Sequence, residues 1–206
     1  MYFPIFRGRQ FELLALRECV SRGILSNLII PIVEPVKVSS TYTKTVDSFI
    51  EANKAIAIIR NPQVGSWTKD LKKESNAKIR EQAIGQLKDV NVIPSFYVTP
   101  MLSACIKNAA QNGTDIESLL LLCNNPEYIG DYEEVIGDNT PLYNIIPDKG
   151  DFRRRIRLNR VMCEDHFPKQ TRNIDYLNID TEFFSSDHLY YMDDGYKGFS
   201  DYSVVG

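Results

Sequence analysis

One pattern recurs along the 206-residue chain. A short β-branched apolar run ends in a polar residue, usually beside Pro or Gly, and a helix-like stretch follows. Runs that are apolar on both faces read as strands of a parallel sheet. Their alternation with helices implies βαβ units. The runs start near residues 2, 28, 55, 92, 118, 142, 159 and 202 and lie about 29 residues apart on average, against roughly 30 for a βαβ repeat. Eight units predict a TIM-barrel-like α/β domain over residues 1–206, near the lower size of about 200 residues for that fold. An open doubly wound sheet is the alternative. No Gly-x-Gly-x-x-Gly follows the first run, which argues against a dinucleotide site.

The runs are Tyr2 to Phe6, Leu28 to Val33, Ala55 to Ile59, Val92 to Val98, Ser118 to Cys123, Leu142 to Ile146, Asn159 to Cys163 and Tyr202 to Val205. Between the first two, Phe11, Leu14, Ala15 and Glu18 have helical spacing, and Gly23 stops that helix. Further helices are expected from Thr45, over Lys69 to Leu87 and over Met101 to Ala110. The interval before the last run is longer, and its composition shifts over 173–202. There Phe183, Phe184, Tyr190, Tyr191, Tyr196, Phe199 and Tyr202 interleave with Asp187, Asp193, Asp194 and Asp201, as in an insertion. It reads as a surface loop packed by its own aromatics or as a lid or partner-binding segment, with Tyr190, Tyr191, Tyr196 and Phe199 as the contact residues.

The net charge of −3 gives no basic field to recruit nucleic acid. The one basic block, Arg153 to Arg157, reads as the solvated face of a short helix or as a local phosphate contact. Cys19, Cys105, Cys123 and Cys163 form no CxxC pair and read as buried thiols in a reducing compartment. Only His166 and His188 could join them around zinc. No apolar run approaches a membrane span of about 20 residues, and Met1-Tyr2-Phe3-Pro4 does not open a signal peptide. A cytoplasmic protein is expected.

In a parallel barrel the site lies at the C-terminal ends of the strands. The polar residues there are Arg7, Arg9, Glu34, Arg60, Asn61, Thr99, Asn124, Asn125, Asp148, Glu164, Asp165 and His166. Strand ends are polar simply where they exit to solvent. As a site, Arg7, Arg9 and Arg60 would hold an anion, while Glu34 and Asp165 would do acid–base work or hold a divalent cation. Glu34 follows an apolar run and needs a partner if buried; Arg7 or Arg60 is the natural counter-ion. His166, beside two acids, is either a general base or an exposed loop residue. No nucleophile elbow, Walker loop or His-Glu-x-x-His motif occurs. No cofactor is indicated.

Several segments resemble bacterial proteins related to the beta protein family. They are Tyr2 to Leu13, Ile30-Pro31-Ile32-Val33-Glu34-Pro35, Glu164-Asp165-His166-Phe167, Arg172 to Tyr176 and Gly198 to Ser203. The resemblance implies a bacterial cytoplasmic setting and a link to phage-defence or mobile-element loci. No established reaction comes with it. It also implies relatives that continue beyond the position of Gly206, so that this chain is a fragment or one piece of a split protein.

Two functions compete. One is a component of an anti-phage defence system whose anion-binding rim acts on a phosphorylated or nucleotide-like ligand. The other is a non-catalytic module that binds a partner, such as a defence nuclease or a phage protein. The last run leaves no residues for a covering helix, so Val204 and Val205 are expected to be covered by missing sequence, a second copy or a partner subunit.

Overall fold

The computed structural model describes residues 1–166, 172, 174, 177, 181 and 183–203. Eight strands alternate with helices: β1 (Ile5–Phe6), α1 (Gln10–Ser21), β2 (Ile32–Val33), α2 (Ser40–Glu51), β3 (Ile56–Ile59), α3 (Trp67–Asp70), α4 (Ala77–Gln86), β4 (Val92–Tyr97), α5 (Leu102–Gln111), β5 (Leu120–Leu122), α6 (Ile129–Ile136), β6 (Tyr143–Ile146), α7 (Gly150–Arg155), β7 (Arg160–Cys163), α8 (Asp187–Tyr190) and β8 (Gly198–Ser200). Every neighbouring pair is parallel, and the spatial order follows the chain order. This is a TIM-barrel-like α/β fold, not an open doubly wound sheet, in which strand order reverses at a switch point.

The seam between β8 and β1 is bridged at two pairs, Tyr2–Phe199 and Ile5–Tyr202, without a continuous ladder. The Phe3 and Ile5 amides donate to the carbonyls of Phe199 and Asp201 at 2.9 and 2.8 Å. β8 is therefore Gly198–Ser200, and Tyr202, where the expected eighth run starts, forms the isolated bridge to Ile5. The chain crosses close to β1 at Gly198, where a Cβ would fall 2.7 Å from the Met1 carbonyl and from the Phe3 ring. A Gly-Phe-Ser strand carries no apolar run, so periodicity passes over it. Residues 204–206, with the expected exposure of Val204 and Val205, lie outside the described residues. Phe199 of β8 is covered by the segment before it and by the start of the chain: the rings of Tyr191 and His188 lie 5.6 and 6.3 Å from Phe199, and that of Tyr2 4.8 Å.

Side chains alternate across the pleat. One face of the strands fills the barrel with Phe3, Ile5, Ile30, Ile32, Ala57, Ile59, Ile93, Leu120, Leu122, Ile145 and Val161. The other face meets the helices in two separate cores. Val33, Ile56, Ile58 and Val92 pack under α1, α2 and α4. Phe96, Leu121, Ile146 and Met162 pack under α5, α6 and α7. In α1 the buried stripe is Leu13, Leu16 and Val20. Phe11 is 83% exposed, so the 11/14/15/18 face is not the packed one. Helix α2 begins earlier than Thr45, at Ser40, because the Ser39 side chain caps it by accepting from the Tyr42 amide. No helix among the described residues is long and apolar enough to cross a membrane.

Candidate functional site at the barrel mouth

Glu34 is the next inward position after Ile30 and Ile32, and it stands at the C-terminal end of β2. It is 4% exposed. Its partners are neutral: the Gln63 amide donates to Oε1 at 2.7 Å and the Tyr97 hydroxyl to Oε2 at 3.1 Å. Neither Arg7 nor Arg60 pairs with it, so the expected counter-ion is replaced by two hydrogen-bond donors. That suffices for a carboxylate with both oxygens engaged.

Tyr97 is held in turn by Asn61, whose side chain accepts from the Tyr97 amide and donates to its carbonyl, both at 2.9 Å. Cys163 and Tyr202 pack onto the same interior core, and Tyr202 hydrogen-bonds Asn124. Burial pushes the Tyr97 hydroxyl far above its ordinary value, and the charge of Glu34 adds to this. Burial pushes Tyr202 up to about 12, reinforced by the fields of Cys163, Glu34 and Asp165. Cys163 also rises to about 12 through burial, against the opposing hydrogen bond with Ser200. At neutral pH the mouth therefore presents two protonated phenols and an unionised thiol. Cys163 is no thiolate nucleophile there. The Tyr202 hydroxyl can donate to a ligand, while the Tyr97 proton is taken up by Glu34 and leaves only the phenol oxygen to accept.

Arg7 and Arg9 flank Gly8, which has φ +54° and lies so close that a Cβ would sit 2.9 Å from the Glu34 carbonyl. Both arginines are exposed. Neither forms an ion pair among the described residues. Asp165 is exposed at the end of β7, and its charge acts on Tyr202 and Cys163.

Three expected site residues lie elsewhere or do other work. Arg60 has the outward parity of Ile56 and Ile58, so its guanidinium leaves the barrel and reaches the Leu87 carbonyl at 3.0 Å and Thr114 Oγ1 at 3.4 Å. His166 pairs with neither sequence neighbour; its Nε2 lies 2.8 Å from Asp187 Oδ2. That pair borders a cavity of about 310 Å³ outside the seam, with Tyr2, Phe199 and Asp201. Glu164 accepts from the Asp148 amide at 2.7 Å.

Of the aromatic contact residues, Tyr196 is 3% exposed and donates to Asp148 at 2.6 Å. Arg160 lies 5.0 Å from its ring. Tyr191 meets the chain's amino terminus at 2.6 Å, and Phe199 is part of β8. Those three are used inside the fold, and only Tyr190 stays exposed. The basic block forms α7 and its exit, where Arg153, Arg154 and Arg155 pair with Asp148, Asp151 and Glu133. No group of three potential metal ligands occurs among the described residues.

Tyr97, Tyr202 and Cys163 did not stand out in the sequence as site residues. Strand parity would have selected them, since each continues an inward-facing series. Comparison of the chain with protein-family models, curated proteins and solved structures gives no match.

Proposed function

We propose that this chain belongs to a bacterial anti-phage defence system and binds a phosphorylated or nucleotide-like ligand at the C-terminal mouth of its barrel. The observation that carries the reading is the position of Arg7 and Arg9. They are exposed, their guanidinium groups form no ion pair among the described residues, and Gly8 between them packs on the backbone of the buried Glu34. Arginine forks bind phosphate oxygens bidentately. Tyr202 would donate to the ligand, Tyr97, whose proton is held by Glu34, would accept from it, and Asp165 across the mouth would exchange a proton with it. The defence setting rests on the resemblance of the strand-end segments to the beta protein family.

Calorimetric titration with a nucleoside monophosphate, inorganic phosphate and the uncharged nucleoside tests the reading. Binding of the phosphorylated ligands, lost in the double variant Arg7→Ala/Arg9→Ala, is expected, together with loss of phage protection in Glu34→Gln. Equal binding of the uncharged nucleoside overturns it. The second reading, a non-catalytic partner-binding module, draws on exposed Phe183, Leu189, Tyr190 and Met192. It predicts that protection survives Arg7→Ala/Arg9→Ala and is lost with Tyr190→Ala.

A further inference from the structure

The helix layer is not continuous over β4. Val92 belongs to the core under α4 and Phe96 to the core under α5, with Pro94 between them on the same face. Helix α4 buries only Ala83 and Gln86. A methyl group stands where Leu or Ile would fill the layer, and a crevice of about 780 Å³ remains. Small-molecule sites span roughly 300–1,000 Å³.

Two polar atoms of residues lining this crevice are buried and lack hydrogen-bond partners among the described residues: the Tyr42 hydroxyl and Arg60 Nε. Tyr42 is 1% exposed. The other two guanidinium nitrogens of Arg60 are spent on Leu87 and Thr114, and no acidic side chain pairs with it among the described residues. A partly buried guanidinium without a counter-charge costs free energy, so the crevice is electrostatically prepared for an anion. Burial keeps Tyr42 protonated to high pH, making it a donor. Around these donors the walls are apolar, formed by Ile58, Trp67, Leu71 and Leu87.

We propose that this crevice is a second ligand site, distinct from the mouth, for a small amphipathic carboxylate. Its two oxygens accept from Arg60 Nε–H and Tyr42 O–H, and its hydrocarbon body lies against Trp67 and Leu87. A single negative charge suits the site. Arg60 and Lys88 are the cations of the lining and Asp89 and Asp115 its acids, so the crevice carries no net positive excess to hold a dianion such as phosphate.

Trp67 is the only tryptophan, and its ring lies 4.7 Å from that of Tyr42, so its fluorescence reports on the crevice. Decanoate below its micellar range is expected to give a saturable change and to raise the melting temperature of the protein. Decanol should bind at least about tenfold more weakly, because it lacks the charge. Arg60→Met should weaken decanoate about tenfold or more, and Tyr42→Phe by about two- to tenfold. Should Arg60→Met fail to fold, the decanoate–decanol comparison on the unaltered protein decides. Equal binding of decanol overturns the proposal. So does decanoate that lowers the melting temperature, or its displacement by inorganic phosphate, which would put the anion at the mouth instead.

Discussion

The Tyr97 hydroxyl on β4 donates to the Glu34 carboxylate beyond β2, 3.1 Å away, with all of β3 between the two strands. The bond crosses the barrel end as a chord and ties two βα units that share no ladder. It also leaves Glu34 with two donors and no cation.

Removing that donor should destabilise the protein more than removing the charge. Tyr97→Phe leaves a buried carboxylate one partner short, at a cost of about 1.5–3 kcal/mol. Glu34→Gln keeps an acceptor for Gln63 and should cost less, under about 1.5 kcal/mol. Urea denaturation of both variants measures the order, and the reverse order would mean that the bond contributes little.

The seam depends on Gly198. Alanine there would overlap the Met1 carbonyl and the Phe3 ring. Gly198→Ala should cost about 1–3 kcal/mol by overpacking and increase hydrogen exchange at the Phe3 and Ile5 amides, which bridge the seam.

Stability should fall in alkali. The hydroxyls of Tyr42, Tyr97 and Tyr196 are raised chiefly by burial, and Tyr202 is pushed to about 12. A raised folded-state value means the folded protein keeps protons that the unfolded chain loses near pH 10. The contribution is complete below about pH 10 and is lost as pH rises through the folded-state values. Absorbance at about 295 nm should show exposed tyrosines ionising near pH 10, and these four only as the protein unfolds.

Asp201 titrates on the acid side with the same sign. Burial raises its carboxyl, against the lowering effect of the hydrogen bond from Tyr2 at 2.7 Å, while Asp165 and Asp187 raise it further. The folded state therefore holds this proton longer. The resulting stability is present in full below about pH 4 and is lost as pH rises through the folded-state value. Asp201→Asn should stabilise the protein at pH 7, by less than about 1 kcal/mol because the group is half exposed, read as a higher melting temperature. The gain should disappear when measured at low pH.

Seven of the eight strands were legible in the chain because a strand buried on both faces must be apolar throughout, and no loop imitates such a run. Glu34 was legible for a related reason: a carboxylate directly after an apolar inward series has few places to go. Parity, also written in the sequence, separates Glu34, Asn61 and Tyr97 from Arg60, because consecutive side chains point to opposite faces. The tertiary structure alone decided what these residues meet. Gln63 and Tyr97 reach Glu34 only once β2, β3 and β4 lie side by side. His166 finds Asp187 across 21 residues. Gly198–Ser200 becomes a strand because β7 and β1 offer backbone partners on either side, a reason no local pattern of side chains contains. The crevice behind β4 arises in the same way. A small residue on α4 leaves a gap only once α4 and α5 have packed on either side of the strand that joins them.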